Sequence, residues 1–407
     1  MRFLIVSQVF WPDSTAVSQI LTDLAEDLVQ KGHEVSVITS SRQYEDPTNR
    51  FPLAETHRGI GIRRIWQTSF GKRHVVGRIV DSLSFNASLV LRLLAIRKGS
   101  YDVLLGLTVP PLVSFVSSIV ARRRGMKFAY WVMDVQPELS IAIGYLKPES
   151  AAAKILSRIG DSIYRRSDLI IALDRYMATH IERRVGQASR TAVIPVWPVV
   201  GPPYDGPRMA NPFRQANDLG DRIVVMYSGN HAAYNPLDTL LETALRLRAD
   251  PRFLFVFIGG GVRKQDVTTF KATHGLENIR QLPLQDRDRL RESLAAADVQ
   301  VVVLGNGCVG FTHPSKMYGA MFIGRPVLYI GPQPSYVTDL LDRCDGNLRA
   351  EHGQSDRLAA ALTAFAGLGE DARARIGAMN QQYAREHLTR ERLAGELVEA
   401  LERLGPA

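Results

Sequence analysis

The chain has 407 residues, a formal net charge of +9, 45% apolar residues and 22% charged residues. That length allows two domains with substantial cores, and that balance excludes a disordered or fibrous chain. Cys308 and Cys344 are its only cysteines and lie far apart, which excludes a disulfide framework or a cysteine-zinc cluster and fits a reducing cytoplasm.

The apolar run at residues 3–6 meets Pro12 and Asp13 too soon for a secretory signal, so none is expected. Residues 3–6 predict a buried strand. Val17, Ile20, Leu21, Leu24 and Leu28 then recur at helical spacing up to Gly32, and residues 34–39 predict a second strand. The turn between, residues 8–16, has no glycine, so the dinucleotide fingerprint of a dehydrogenase is missing. Residues 40–58 are polar and irregular and predict a mobile loop; residues 60–66 predict a strand.

From 63 to 98 the charge is one-sided: Arg63, Arg64, Lys72, Arg73, Arg78, Arg92, Arg97 and Lys98 stand against Asp81, and Arg122, Arg123, Arg124 and Lys127 follow. This half of the chain should seek an anionic partner. Within it Val76, Ile79, Leu83, Ala87, Val90 and Leu94 keep helical spacing. Such a helix can lie on anionic lipid or face a core with its cations solvated. Residues 103–121 carry no charge and are nominally long enough to span a bilayer. Pro110-Pro111 divides them instead into a strand, 103–107, and a helix opening at proline.

Residues 128–133 predict a strand that delivers Asp134, Gln136 and Glu138 at its carboxyl end, where doubly wound sheets place ligands. Helices near 150–166 and 174–186 alternate with strands at 169–173 and 192–195, and the proline-rich stretch 195–203 reads as a domain boundary. The alternation restarts with a strand at 223–227, the loop Ser228-Gly229-Asn230-His231, and a strand at 253–258 followed by Gly259, Gly260, Gly261, Val262, Arg263 and Lys264. Three glycines and two cations at a helix start form a possible phosphate cradle. Asp286 and Asp288 imitate a metal-binding pair, but they open a helix, where acids serve as caps. No Walker loop, HExxH, G-x-S-x-G elbow or Cys/His metal spacing is present. A last amphipathic helix is expected at 390–404.

The stretch 311–326 lies between apolar runs 299–304 and 327–330 and predicts strand, loop, short helix, strand. Pro314 suits the first helical position and Gly324 the left-handed residue past the end. A first turn carrying Ser315 and Lys316 would aim free N–H groups, a hydroxyl and an ammonium at one spot suited to phosphate. The same residues would also make an ordinary N-terminal turn with a solvated lysine.

Taken together, Ser228-Gly229-Asn230, the turn 257–261, Pro314-Ser315-Lys316 with Gly324-Arg325-Pro326, and residues 131–134 followed by Pro137-Glu138 resemble glycosyltransferase family 4. The resemblance is to its bacterial capsule, O-antigen and colanic-acid branch, which includes N-acetylfucosamine transferases, and it covers nearly the whole chain. It implies an α/β fold of two Rossmann-like domains facing across a cleft (GT-B), with residues 1–200 meeting the acceptor and the membrane, 208–385 holding the nucleotide sugar, and 386–407 returning to the first domain. It further implies retaining hexosyl or N-acetylhexosaminyl transfer with no bound metal and no cofactor. The donor would be UDP- or GDP-linked and the acceptor a saccharide or a polyprenyl-diphosphate-linked saccharide, at the inner face of the plasma membrane; no nucleic acid is implied.

The residues implied are Asp134 and Lys316 for catalysis. For the donor they are Gly229, Asn230, His231, Gly260, Gly261, Arg263, Lys264, His313, Pro314, Ser315, Lys316 and Tyr318, and for the acceptor Asp13, Ser14, Thr15, Gln136 and Glu138. The chain departs from the family at a paired-glutamate motif, where it has Phe311 and Gly319, and where basic residues are usual it has Asn230-His231. Sugar and ribose hydroxyls would then fall to Tyr318 or His313, and the diphosphate to Lys316, Arg263 and Lys264. A nucleotide-sugar epimerase of the same architecture, or a non-catalytic two-lobed nucleotide-sugar-binding protein, is the alternative.

Overall fold

The computed structural model describes all residues except 45, 71–74, 109–110, 187–189 and 406–407. Lys72, Arg73 and Pro110, and the side chains of Val76, Arg78 and Ile79, lie outside the described part. The chain forms two compact units: Met1–Trp197 with Gly310–Thr312 and Arg390–Ala407, and Pro198–Val309 with His313–Thr389.

The first unit holds β1 (Arg2–Val6), β2 (Glu34–Ser40), β3 (Ala54–His57), β4 (Ile60–Ile65), β5 (Val103–Leu107), β6 (Lys127–Trp131), β7 (Leu169–Ala172) and β8 (Thr191–Val193). They form one sheet in the order β3-β4-β2-β1-β5-β6-β7-β8, parallel except for β3. The order reverses between β1 and β5, so the loops after these two strands border the switch point where such sheets bind ligands. β5 is buried along its whole length, as a parallel strand covered on both faces must be. The uncharged stretch after it does turn into a separate helix, Pro111–Arg124. Among the described residues no helix is long and apolar enough to cross a membrane.

Two local expectations are corrected. Part of the polar stretch 40–58 is strand β3, which pairs antiparallel with β4 at the sheet edge. An edge strand with one bonded side needs no apolar run, so Ala54-Glu55-Thr56-His57 gave no periodic signal. Among the described side chains of helix Val75–Leu94 the buried hydrophobic residues are Phe85, Leu89 and Leu93, each 0% exposed, whereas Leu83, Leu91 and Leu94 are 53%, 72% and 48% exposed. The helix is apolar on two sides, and only one of them meets the core.

The second unit holds β9 (Ile223–Ser228), β10 (Phe253–Ile258), β11 (Ile279–Leu282), β12 (Val299–Val303), β13 (Val327–Ile330) and β14 (Leu348–Ala350). They form a wholly parallel sheet in the order β11-β10-β9-β12-β13-β14. Alternate residues serve opposite faces: Val225, Tyr227, Phe255 and Phe257 join one core, while Val224, Met226, Leu254 and Val256 join the other. The switch point here lies between β9 and β12.

Helix Arg390–Glu402 belongs to the first unit, as the expected return of the last helix requires, and packs on helix Ala16–Gln30. It buries Leu393, Ala394, Leu397, Val398 and Leu401 on one stripe. At its start Arg390 donates to Asp23 Oδ1 at 2.9 Å and to Asp27 Oδ1 at 2.7 Å, and Trp197 Nε1 donates to Asp23 Oδ2 at 2.9 Å. Removing the guanidinium leaves two carboxylates without their shared cation, and charge-assisted bonds of this kind contribute about 1.5–3 kcal/mol. Arg390→Met, which keeps the stem, should therefore lower the unfolding free energy by about that amount; an unchanged midpoint in urea would contradict this anchoring role.

Candidate active site

β9 and β10 run side by side, and their carboxyl ends open into two glycine loops that are bonded to each other. Gly229 N–H donates to Ile258 O at 2.9 Å and His231 N–H to Gly260 O at 2.7 Å, and Arg263 N–H returns to His231 O at 3.1 Å. Gly229 has φ +118°, and a Cβ there would come within 2.8 Å of Lys316 Cε. Gly261 has φ +132°, and a Cβ there would strike Asn230 and His231. These glycines supply both the backbone twist and the clearance that bring the two loops and the lysine stem together.

Lys316 Nζ donates to Asn230 O at 2.8 Å and to the Tyr227 hydroxyl, and it stands 3.7 Å above the centre of the Tyr227 ring. Tyr227 in turn donates to Asn230 O at 2.8 Å and accepts from Asn235 Nδ2 at 3.0 Å. Among the described residues no carboxylate lies within ion-pair distance of this ammonium. Burial pushes the Lys316 pKa well below that of an ordinary lysine. Burial, and after it the Lys316 charge, lowers the His231 pKa. Burial raises that of the Tyr227 phenol. His231 is 1% exposed; its Nδ1 lies 3.1 Å from Gly229 O, and its Nε2 is buried with no hydrogen-bond partner.

The stretch after β12 differs from expectation in its first turn. The helix is Lys316–Phe322, with Ser315 at the cap position in helical dihedrals and no capping bond from its side chain; Pro314 comes earlier and only accepts from Met317 N–H, at 3.2 Å. Seven residues give a small dipole, so the ammonium is the dominant charge here. Gly324 does follow the helix in the left-handed region, φ +77°. His313 and Tyr318 are buried: His313 Nε2 lies 2.5 Å from the Tyr318 hydroxyl, which bonds Tyr336 at 3.2 Å. Those polar atoms are engaged inside the unit and do not stand open to a ligand.

Arg263 precedes helix Lys264–His274 as expected, but its guanidinium donates to Ala233 O at 3.2 Å and to Asp266 at 3.0 Å. Lys264 is exposed at the first helical position, and Gly260 is partly open beside it. Asp286 occupies the cap position of helix Arg287–Ala295 without a side-chain capping bond, and Asp288 sits in the first turn. Among the described residues no three His, Cys, Asp or Glu side chains gather as a metal site.

In the first unit β6 stops at Trp131, so Asp134 lies in the loop beyond it rather than at the strand end. The loop is pinned by Met133 N–H donating to Thr108 Oγ1 at 3.0 Å and by Val135 N–H donating to Phe311 O at 2.7 Å, and Asp134 pairs with Thr312 as an antiparallel bridge. Nothing in the sequence pattern marked Gly310–Thr312 as part of this unit. Asp134 is half-buried; burial chiefly, with the Asp134 charge contributing, raises the Tyr130 phenol to about 12.

Glu138 forms an ion pair with Arg184, which also holds Asp161 and Ser157. Burial opposes the Glu138 charge, but the His180 and Arg184 interactions win and its pKa is lowered. Gln136 Oε1 accepts from Ser140 Oγ at 2.6 Å. Asp13 is buried, accepting from Thr15 N–H at 3.1 Å and Tyr44 N–H at 2.7 Å, while Thr15 caps helix Ala16–Gln30. Ser14 is exposed at the loop after β1. Of the five acceptor-side candidates, Asp13, Thr15 and Glu138 are thus occupied in building their loops.

Residues 15–197 match the family described as glycosyl transferase 4-like domain. The chain is 27% identical over 270 residues to the probable glycosyltransferase WbjE of Pseudomonas aeruginosa, covering 66% of this chain and 65% of that protein's length. It is 22% identical over 333 residues to the putative colanic acid biosynthesis glycosyl transferase WcaI of Escherichia coli strain K12, covering 80% of this chain and 82% of that one. Among solved structures it is similar to Anabaena Alr3699/HepE in complex with UDP and glucose, with TM-score 0.72 and 15% identity, over 99% of this chain and all of that one.

Gly229→Ala should cost about 1–3 kcal/mol from backbone strain and from displacing Lys316. Gly220→Ala, also at positive φ but with nothing within 4 Å of the new Cβ, should cost less. Equal losses in denaturant titrations would show that the Lys316 stem does not depend on the clearance at 229.

Proposed function

We propose that this chain, which carries a glycosyl transferase 4-like domain at residues 15–197 in a GT-B fold, is a glycosyltransferase. It moves a sugar from a nucleotide-sugar donor to a lipid-linked or saccharide acceptor in cell-surface polysaccharide biosynthesis. One observation carries this reading: at the β9 and β10 ends, two bonded glycine loops lie beside an ammonium that has no carboxylate among the described residues. A diphosphate suits such a place. As the glycosidic bond breaks, the leaving diphosphate gains charge, and a preorganised cation stabilises it more in the transition state than in the ground state.

Lys316 then serves the diphosphate, with Lys264 as an exposed second cation, and no bound metal is needed. Backbone N–H groups of the glycine loops and Asn230 complete the donor side. The transferred sugar keeps its anomeric configuration by front-face attack assisted by the leaving phosphate, and Asp134 orients the acceptor and stabilises developing positive charge. Support for the donor class comes from the UDP and glucose bound by the similar Anabaena structure, and for the pathway from the colanic acid role in the name of the Escherichia coli relative.

Lys316→Met should weaken UDP binding about tenfold or more, since charge-assisted contacts to phosphate contribute roughly 1.5–3 kcal/mol. Asp134→Asn should leave donor affinity and folding intact and lower kcat about 10²-fold or more. Assays run in EDTA should show full activity. Normal kcat with a lowered melting temperature in Asp134→Asn, or activity only after adding magnesium, would contradict these roles.

The uncovered face of helix Val75–Leu94 supports a membrane partner. Leu83, Leu91 and Leu94 are exposed with Trp66 (59%) and Phe70 (66%) in the same unit, and Arg92, Arg97, Lys98, Arg122 and Arg123 are exposed as well. Apolar side chains with flanking cations suit the inner face of the plasma membrane, each cation contributing about 1 kcal/mol near an anionic surface. The protein should sediment with anionic vesicles and release as salt rises past roughly 0.1 M, where the Debye length is about 10 Å. Equal sedimentation with neutral vesicles would contradict it.

A further inference from the structure

Gly310, Phe311 and Thr312 belong to the first unit, although Val309 before them and His313 after them belong to the second. Each of the three is held there by a contact of its own. Gly310 lies against the start of helix Arg175–Val185, where an added Cβ would stand 3.0 Å from the carbonyl carbon and oxygen of Tyr176. Phe311 O accepts from Val135 N–H at 2.7 Å, and the Phe311 ring meets His180 of that helix edge-on, with centroids 4.9 Å apart. Thr312 is 3% exposed and forms the antiparallel bridge with Asp134.

This bridge is isolated, outside the eight-stranded sheet. A single pairing of that kind extends no sheet, but it fixes a loop. Val135 is 0% exposed, so its N–H needs a partner inside the protein, and Phe311 O is that partner. Val135 O accepts from Leu139 N–H at 2.9 Å at the start of helix Glu138–Ala142. On the other side of Asp134, Met133 N–H is held by Thr108 Oγ1 at 3.0 Å.

Asp134 thus lies between two residues whose backbone is anchored to groups distant in sequence. Peptide units are planar, so the direction of a Cα–Cβ bond follows from the two peptides that flank it. Anchoring the peptide that joins Asp134 to Val135 therefore sets the direction in which the Asp134 carboxylate leaves the backbone. A displacement of about 1 Å at a reacting group can cost about 10²-fold in rate, so an anchor this close to Asp134 bears on turnover as well as on folding.

We propose that Gly310, Phe311 and Thr312 are positioning residues, a clip that holds the loop after β6 and so aims the Asp134 carboxylate. This rests on the reading of Asp134 as the group that orients the acceptor. A clip that only stabilises the first unit would leave that aim, and any rate that depends on it, unchanged.

The test compares Gly310→Ala with Gly307→Ala. Both glycines are in the left-handed region, at φ +77° and +76°, but a Cβ at 307 meets nothing within 4 Å. Gly307→Ala therefore controls for backbone strain, and Gly310→Ala adds displacement of the clip. Phe311→Ala, which takes the ring from His180 and leaves Gly310 alone, serves where Gly310→Ala folds poorly. Hydrogen exchange at the Val135 amide should quicken at least about tenfold in Gly310→Ala and stay as it is in Gly307→Ala. In protein labelled with carbon-13 at the aspartate Cγ, the Asp134 signal, assigned by its loss in Asp134→Asn, should move in Gly310→Ala and Phe311→Ala but not in Gly307→Ala. With UDP-glucose and a polyprenyl-diphosphate-linked saccharide as probes, Gly310→Ala should lower kcat about tenfold to 10²-fold with donor KM unchanged. In an Asp134→Asn background the same substitution should cost little further. An unmoved Asp134 signal, or an equal loss of kcat in both backgrounds, would overturn the clip. Absence of turnover in the natural chain would count against the transferase reading instead, and the exchange and carboxyl signals would still decide the clip.

Discussion

Lys316 reaches over Gly229 to the carbonyl of Asn230 and the hydroxyl of Tyr227, and the room for that reach exists because position 229 has no side chain. The arrangement is electrostatically one-sided. A carbonyl, a phenol and an aromatic face stabilise an ammonium, but none of them supplies the full negative charge that its burial calls for. The lowered pKa of Lys316 expresses the same imbalance, and a phosphate anion would remove it. The wholly parallel sheet keeps the β9 and β10 ends in register, Tyr227 beside Phe257, and so keeps the two glycine loops within bonding distance of one another.

The two units solve the same problem with different residues. Each is a doubly wound sheet with a switch point in its strand order, and each places its candidate side chains in loops at strand ends. In the second unit the loops are shaped by glycines at positive φ and leave a cation short of partners. In the first they are shaped by side chains: Asp13 ties the loop after β1 to Tyr44, and Arg184 gathers Glu138, Asp161 and Ser157. The charged groups of these first-unit loops are therefore paired with one another or with backbone N–H groups.

The sequence was most legible where burial is continuous or where a residue type has a single local use. Fully buried runs such as Phe253–Ile258 announced strands, Pro110-Pro111 divided the uncharged stretch, and Gly324 closed its helix in the left-handed region. It was least legible where a position depends on a partner distant in sequence. Edge strand β3 draws its stability from pairing with β4 and carries no pattern of its own. Helix Val75–Leu94 has apolar residues on two sides, and spacing alone does not say which side meets Phe85's neighbours and which meets solvent. The aim of Glu138 is set by Arg184, 46 residues later, and the setting of Asp134 by Phe311 and Thr312. Tyr227 looked like an ordinary core residue of β9, yet its hydroxyl holds the ammonium of Lys316.

The central claim is that Lys316 is a cation awaiting a phosphate. A group whose pKa is lowered in the free protein and raised again by an anion takes up a proton when that anion binds, so affinity falls as pH rises through the lowered value. Calorimetry of UDP binding in two buffers of different ionisation enthalpy, at alkaline pH well above the phosphate's second ionisation near about pH 6, measures that uptake directly. The account predicts net proton uptake in the natural chain and none in Lys316→Met. Binding without proton uptake, or the same uptake in both chains, would contradict it.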